Sequence, residues 1–449
     1  MVSLEGKRVV VVGLGASGMA AARLCARRKA RVVATDAKPL EALGEDARAL
    51  EGAGVMLSVG GHERAGIREA DLVVVSPGVP SFAELDEAER RGANVWGEVE
   101  LATRALLHPA PIVAVGGTNG KSTTTSLVGA LLEAHGLSTF VGGNLGEPLA
   151  NHADERFDAI VLEVSSFQME RVREFKPKAS ILLNVTEDHL DRYPSFEDYA
   201  RAKGNAFARQ TSGDTAIVPS GDAVCLEQAR RGEGRVVTFG AGGSIDVTPD
   251  AIVDASNGER YARREISLVG GHNANNAAAA IAAVQPFAVT PATIRRVLKS
   301  FQGLPHRMAL VAEIAGVRYY DDSKGTNVGA VVTALEGLAE AKAVLIAGGR
   351  DKEGSYAPLV EALRAKGRAA VLIGEAADLI ARAIGEAVPV HRARTLDDAV
   401  SSSAAIARPG DAVLLSPACS SFDMFRDYKH RGDEFVRAVR ALQAQEGRR

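Results

Sequence analysis

Short apolar runs alternate with Ala-, Leu- and Arg-rich stretches along nearly the whole chain, and this alternation limits the possible folds more than any other feature. Val9–Val12, Arg31–Thr35, Leu72–Val75, Ile112–Val115, Ala159–Glu163, Ile181–Val185, Val317–Asp321, Val344–Ala347, Val371–Ile373 and Ala412–Leu415 have the length and composition of buried strands. Strands separated by helices form parallel sheets covered on both faces, so the fold class is α/β. Sheets of this kind place ligands at the carboxyl ends of their strands. At 449 residues the chain exceeds one ordinary core. Breaks at Leu107-His108-Pro109-Ala110-Pro111 and near Gln302-Gly303-Leu304-Pro305 predict three domains, over residues 1–99, 100–303 and 304–449. The weakly patterned stretch Gly240–Arg264 reads as hairpins or a surface insertion.

Composition excludes several function classes. A net charge of -3 offers no basic field for a polyanion, and aromatics at 5% with a single Trp offer no stacking platform. Nucleic acid is therefore not an expected partner. Cys25, Cys225 and Cys419 lie far apart without a CxxC pair, as buried thiols do in a reducing compartment. Met1–Lys7 runs directly into the first strand, and no apolar run reaches the roughly 20 residues that span a bilayer. A cytoplasmic protein without a membrane partner is expected.

Two glycine-rich loops follow strands and open helices. Gly13-Leu14-Gly15-Ala16-Ser17-Gly18 matches GxGxxG, whose glycines bring backbone N–H groups close to a diphosphate at a helix N-terminus. Asp36 ends the next strand, where an acid often takes a nucleotide hydroxyl. Alone, this loop fits a nicotinamide dehydrogenase, or merely a tight turn. The second loop, Val115-Gly116-Gly117-Thr118-Asn119-Gly120-Lys121-Ser122, is one residue short of a standard P-loop. It keeps the working parts: a nest of amides, a lysine for terminal phosphates and a hydroxyl for Mg²⁺. An amine and a hydroxyl have no packing purpose there, so ATP binding is expected.

Further along, Glu163-Val164-Ser165-Ser166-Phe167-Gln168 ends an apolar strand with a carboxylate suited to Mg²⁺. Asn184-Val185-Thr186-Glu187-Asp188-His189-Leu190-Asp191 sets a histidine among three acids. A lone histidine is usually structural, but His189 in this company reads as a metal or substrate contact. Lys203, on the helix Tyr199-Ala200-Arg201-Ala202-Lys203, would by itself pass for a surface lysine.

Taken together, these segments resemble the Mur ligase family, which also includes the folylpolyglutamate synthases. The likeness rests on Gly117–Ser122, on Glu163-x-Ser165-Ser166-Phe167 and on Asn184-x-Thr186-x-Asp188-His189-x-Asp191. Gly271-His272-Asn273-x-x-Asn276, Leu304-Pro305-His306-Arg307, Asp321-Asp322-Ser323-Lys324 and Ser416-Pro417-Ala418-Cys419-Ser420-Ser421-Phe422-Asp423 extend it over essentially the whole chain. The resemblance implies a Rossmann-like N-terminal domain, a central P-loop-type ATPase sheet and a Rossmann-like C-terminal domain. It implies an acyl phosphate made from ATP and opened by an amino acid, with UDP-N-acetylmuramoyl-L-alanine and D-glutamate as substrates and a monomeric enzyme.

By the same resemblance, Gly15, Ser17, Asp36, Ser76 and Asn144 would hold the UDP substrate. Gly117, Thr118, Asn119, Gly120, Lys121, Ser122, Thr123, Asn273, Asn276, Arg307 and Asp322 would hold ATP. Two Mg²⁺ ions would take Ser122, Glu163, His189 and Lys203, the last carbamylated. Thr326, Lys352, Ser421 and Phe422 would receive D-glutamate, and Lys121, Lys203, His189 and Lys324 would serve the chemistry. A dehydrogenase leaves Lys121 and Lys324 without a task. A folylpolyglutamate synthase lacks such an N-terminal domain, and a scaffold that only binds nucleotide has no use for this set of lysines and acids.

Overall fold

The computed structural model describes residues 2–188, 192–268, 270–351 and 354–446. Contacts divide the chain into two compact units. The first comprises Met1–Val185, Ser195–Glu265 and Asn275–Ser300, and the second Thr186–Pro194, Ile266–Ala274 and Phe301–Arg449. Among the described residues three sheets carry the fold, two in the first unit and one in the second.

The first sheet contains β1 (Arg8–Val12), β2 (Arg31–Asp36), β3 (Met56–Val59), β4 (Leu72–Val75) and β5 (Asn94–Gly97), all parallel, in the order β3-β2-β1-β4-β5. Val9 to Val12 are fully buried, because a central parallel strand is covered on both faces and reads as a continuous apolar run. The chain reverses its direction of winding beside β1. The carboxyl end of β1 is therefore the switch point where a crevice opens, and Gly13 stands there.

The second sheet comprises β6 (Ile112–Gly116), β7 (Thr139–Gly143), β8 (Ala159–Glu163), β9 (Ala179–Leu182), β10 (Thr215–Pro219), β11 (Arg235–Gly240), β12 (Ile245–Val247), β13 (Ala251–Asp254) and β14 (Glu259–Ala262). Its order is β14-β13-β12-β11-β10-β9-β6-β8-β7. It is parallel from β7 across to β12 and antiparallel through β13 and β14. The stretch Gly240–Arg264 is thus a hairpin-like extension of the sheet edge. β6 lies between β8 and β9, which makes its carboxyl end the second switch point. β9 begins at Ala179 and ends at Leu182, earlier than the apolar run Ile181–Val185 implies. The residues after Leu182 leave the ladder to meet the loop at the end of β6. One apolar cluster, including Val9, Val11, Leu24, Trp96, Leu101, Ile160 and Leu162, joins helices and strands of both sheets within this unit.

The third sheet holds β15 (Ala309–Ile314), β16 (Val317–Asp321), β17 (Ala343–Gly348), β18 (Gly367–Ile373), β19 (Val390–Arg392) and β20 (Ala412–Leu415). The order is β15-β16-β20-β17-β18-β19, parallel except for the edge strand β15. Apolar clusters cover both of its faces. Among the described residues no helix is long and apolar enough to cross a membrane.

Candidate active site

At the end of β1, Gly13 adopts φ +87° and the chain turns at once into the helix Ala16–Arg27. A Cβ at Gly18 would stand 1.8 Å from the Gly13 carbonyl oxygen, so the third glycine is required by packing of the turn against the helix. A Cβ at Gly15 would meet nothing within 4 Å, because that backbone faces open space. Asp36 Oδ2 accepts the Leu14 N–H at 2.7 Å and its Oδ1 the Lys38 N–H at 2.9 Å, fixing the loop. Ser76 Oγ donates to the Gly13 carbonyl at 2.8 Å.

These residues line a cavity of about 670 Å³. Gly15, Ser17, Asp36, Ser76 and Asn144 all border it, so the structure brings the whole sequence-derived UDP-substrate set to one place. Three further liners, His62, Phe82 and Gly146, carried no signal in the sequence, and Gln168 stood without an assigned role at the end of the Glu163–Gln168 segment. Each is a single residue in a loop or short helix outside the glycine pattern. Asn144 also joins this cavity to the second sheet, since its Nδ2 donates to Glu163 Oε1 at 2.6 Å.

The loop after β6 is built differently. Gly117 and Gly120 take φ +143° and +83°, and Gly120 precedes the helix Lys121–Ala134. Asn184 Oδ1 accepts the N–H groups of Thr118 at 3.1 Å and Asn119 at 2.8 Å, while its Nδ2 donates to the Asn119 carbonyl at 3.2 Å. The Thr118 hydroxyl pairs with Tyr199 Oη at 3.1 Å. Lys121 Nζ folds onto the carbonyls of Gly117 and Thr118 at 3.0 and 2.8 Å. Lys203 Nζ, 6% exposed, reaches the same Gly117 carbonyl at 2.8 Å and lies 4.5 Å from the centre of the Tyr199 ring. Two lysines thus converge on one turn, and Lys121 at the head of its helix is the cation suited to terminal phosphates. Asn276 stands beside Gly120, where an added Cβ would lie 2.5 Å from its Oδ1. Ser122 and Thr123 are buried at the start of the helix. Asn184 and Tyr199 are site residues that the sequence displayed inside recognised segments without revealing their bracing role.

Glu163 is 3% exposed, and its Oε2 has no hydrogen-bond partner among the described residues. A buried carboxylate with an unsatisfied oxygen, together with the buried Ser122 hydroxyl, is the donor chemistry that a hard cation takes. The described residues contain no group of three or more His, Cys, Asp or Glu side chains gathered for a metal. His189 and Asp191 lie outside the described residues, as does Lys352.

Asn273, Arg307, Asp322, Lys324, Thr326, Ser421 and Phe422 belong to the second unit, whereas Asn276 belongs to the first. Asp322 Oδ2 accepts from Ser416 Oγ at 2.7 Å, and burial pushes its carboxyl up to about 7, partly offset by Ser416 and Arg307. Lys324 Nζ sits 4.0 Å from the centre of the Tyr428 ring. Arg431, fully buried, ties this region together. Its guanidinium donates to the Ser323 hydroxyl at 3.0 Å, to the Ser323 carbonyl at 2.8 Å and to the Cys419 carbonyl at 3.3 Å. It thereby holds the Asp322–Lys324 turn beside the segment leading to Ser421. A lone arginine within a helix gave no sign of this in the sequence. Ser421 is buried and Phe422 is 65% exposed. A second cavity of about 360 Å³ is lined by Asp188, Asn327, Asp351, Ser355 and Tyr356 among others, and not by Thr326, Ser421 or Phe422.

Parallel sheets with a lysine-bearing phosphate-type loop at a switch point define a nucleotide-dependent α/β enzyme class. Known proteins narrow it. Residues 7–97 match the Mur ligase MurD-like N-terminal domain, residues 115–284 the Mur ligase middle domain, and residues 306–419 the Mur ligase, glutamate ligase domain. The chain is 43% identical to a UDP-N-acetylmuramoylalanine--D-glutamate ligase of Trichlorobacter lovleyi, over 98% of this chain and 100% of that protein. It is 44% identical to the protein of the same name from Anaeromyxobacter dehalogenans, over 97% of each. Among solved structures, MurF ligase from Thermotoga maritima in complex with ADP matches with a TM-score of 0.63 at 17% identity, covering 98% of this chain and all of that one. UDP-N-acetylmuramate-alanine ligase MurC from the same organism matches with a TM-score of 0.59 at 20% identity, over 97% and 100%. The structural matches concern the fold. The three domain matches and the full-length relatives show that the chain belongs to the Mur ligase family.

Proposed function

We propose that the protein is an ATP-dependent ligase that joins D-glutamate to UDP-N-acetylmuramoyl-L-alanine, a step of peptidoglycan precursor synthesis. The reading starts from the full-length relatives that bear this activity in their names. The structural observation that carries it is the Asn144–Glu163 hydrogen bond. Asn144 borders the N-terminal cavity, and Glu163 ends β8, the strand beside the one that bears the phosphate loop. A substrate held by its diphosphate at Gly15 and Ser17 therefore extends past Asn144 toward the ATP loop.

A carboxylate is a poor acyl donor, and phosphorylation gives it a leaving group. In this reading the alanyl carboxylate attacks the γ-phosphorus of ATP, and ADP departs. The amine of D-glutamate then adds to the acyl phosphate carbonyl, and phosphate leaves from the tetrahedral intermediate as the amine loses its proton. Lys121 offsets charge where carboxylate and triphosphate crowd together. Gly117 to Thr123 hold the phosphates through backbone N–H groups and hydroxyls, Asn273 and Asn276 take adenine, and Arg307 and Asp322 take ribose and phosphate. Lys324 steadies the transferring phosphoryl group.

Ser122 and Glu163 would hold one Mg²⁺, and His189 with a carbamylated Lys203 a second, supplying charge neutralisation at the phosphates. Carbamylation turns a buried cation into an anion compatible with a nearby metal. Thr326, Lys352, Ser421 and the Phe422 amide would receive the carboxylates of D-glutamate. We place the domain boundaries near residues 99 and 303, and the enzyme in the cytoplasm as a monomer.

The test is phosphate release with UDP-N-acetylmuramoyl-L-alanine, ATP and, in turn, D-glutamate, L-glutamate, D-aspartate and L-lysine. Turnover with D-glutamate alone is expected. Turnover with L-lysine in preference, or release of diphosphate, contradicts the reading.

A further inference from the structure

Two segments of the second sheet supply its share of the N-terminal cavity among the described residues. Gly143, Asn144, Gly146 and Pro148 lie at and beyond the end of β7, and Gln168 stands in the short helix Ser166–Met169 after β8. The other liners come from the first sheet and its loops. Both sets border one cavity, so their relative placement decides what fits between them.

Both segments are held by a single element. The helix Glu98–Ala105 leaves β5, an edge strand of the first sheet, and its first turn carries two carboxylates only 1% and 0% exposed, Glu98 and Glu100. Glu98 Oε1 accepts the Ala150 N–H at 2.8 Å, two residues beyond Pro148. Glu100 accepts the N–H groups of Arg173 at 2.9 Å, Glu174 at 3.0 Å and Phe175 at 3.1 Å, and also Arg104 Nη1 at 3.2 Å. Just before the helix, the Gly97 N–H donates to the Arg171 carbonyl at 2.9 Å. A Cβ added at Gly97 would lie 3.5 Å from the Gln168 carbonyl oxygen. The chain from Gln168 to Phe175 is therefore fixed against the head of this helix.

Neither carboxylate borders the cavity, so neither is placed to touch its ligand. Each instead accepts backbone N–H groups away from water, where loss of the acceptor leaves a donor buried and unpaired. The ion pair Arg27–Asp154, which also ties the two sheets, is 39% exposed on both sides and screened by solvent. The buried contacts thus carry the alignment.

We propose that Glu98 and Glu100 are positioning residues for the UDP substrate. Glu98 sets the Asn144–Pro148 wall and Glu100 the Gln168 wall, so the head of one helix gauges the cavity across two sheets. This rests on the assignment of the cavity to the UDP substrate.

The test compares Glu98→Met, Glu98→Gln and Glu100→Gln with the wild type in two measurements. One is the KM for UDP-N-acetylmuramoyl-L-alanine, which must reach the walls from the second sheet. The other is calorimetric binding of free UDP, which is short enough to stay with the first sheet. Glu98→Met keeps the side-chain volume and removes the acceptor. It should raise the KM for the full substrate by about tenfold, with the Kd of free UDP and the KM for ATP within about twofold. Glu98→Gln retains an acceptor oxygen and should bring that KM back to within about threefold of wild type. Glu100→Gln sets an amide NH2 against backbone donors and should match Glu98→Met; the Glu98 pair decides alone if Glu100→Gln does not fold. An unchanged KM for the full substrate in Glu98→Met overturns the proposal. So does a parallel rise of all three constants, which marks a general loss of structure. Failure of wild type to bind free UDP overturns the cavity assignment instead, and the positioning role with it.

Discussion

Two loops in the first unit occupy equivalent places in their sheets and are equipped for different work. Each leaves a central parallel strand at a switch point and enters a helix, through one glycine of positive φ, Gly13, in the first and through two, Gly117 and Gly120, in the second. Behind Gly13–Gly18 the braces are an aspartate and a serine, and the adjoining cavity is bordered by no lysine or arginine among the described residues. Behind Gly117–Ser122 stand Asn184 and Tyr199, with Lys121 and Lys203 converging on the Gly117 carbonyl. The backbone geometry thus supplies a place for phosphate in both, and the side chains around it decide between holding and transferring. A diphosphate that is only anchored is served by amides and a helix N-terminus. A phosphoryl group in flight carries developing charge that needs cations.

The largest effect that this contrast predicts is at Lys121. Lys121→Ala should lower kcat by a hundredfold or more, about 3 kcal/mol of transition-state stabilisation, in a phosphate-release assay. The affinity for the UDP substrate, measured by calorimetry, should stay within about twofold. An equal loss of both would erase the division between the loops.

Gly18→Ala is the reciprocal probe. Its new Cβ would fall 1.8 Å from the Gly13 oxygen, so the N-terminal turn must shift, at a stability cost of about 2–3 kcal/mol in urea unfolding. The KM for the UDP substrate should rise strongly while ATP binding persists.

Glu98 sharpens the comparison through pH. It is buried at the start of the helix Glu98–Ala105, accepts the Ala150 N–H through Oε1 at 2.8 Å and leaves Oε2 without a partner among the described residues. Burial pushes its carboxyl from 4.5 up to about 7, only partly offset by the Ala150 bond. A raised carboxyl pKa favours the folded state while the group is protonated, and that contribution is lost as pH rises from about 4.5 through about 7. Glu98→Gln keeps the acceptor and cannot ionise. Its stability relative to wild type should therefore grow across this window by about 2 kcal/mol, read as the difference in urea unfolding free energy at pH 5 and pH 8. A gap independent of pH would mean that Glu98 ionises normally.

The smallest effect belongs to Asn184→Ala. It removes the side-chain acceptor of the Thr118 and Asn119 N–H groups, worth about 1 kcal/mol. The KM for ATP should rise about fivefold, with the KM for the UDP substrate unchanged.

The same contrast explains what was legible in the sequence. Central strands such as Val9–Val12 and Ala159–Glu163 are buried on both faces and therefore appear as apolar runs. The edge and outer strands Met56–Val59, Glu259–Ala262 and Val390–Arg392 are partly exposed and mixed in composition, so no such run announces them. Glycine loops are legible because backbone conformation demands glycine at Gly13, Gly117 and Gly120. The five residues proposed for the UDP substrate were assigned through the family's segments, and all five border one cavity. His62 and Phe82 were not found, since they come from loops twenty residues apart and meet only across the top of the folded sheet. Arg431 was hidden for a similar reason, its partners lying 108 and 12 residues away.

The most direct measurement of the central claim follows oxygen. UDP-N-acetylmuramoyl-L-alanine labelled with ¹⁸O in both oxygens of its alanyl carboxylate is turned over with ATP and D-glutamate, and the products are examined by mass spectrometry. The account predicts ADP and a phosphate carrying one ¹⁸O for every amide formed, because a carboxylate oxygen leaves bound to the transferred phosphorus. Unlabelled phosphate, or label recovered in AMP, would contradict it.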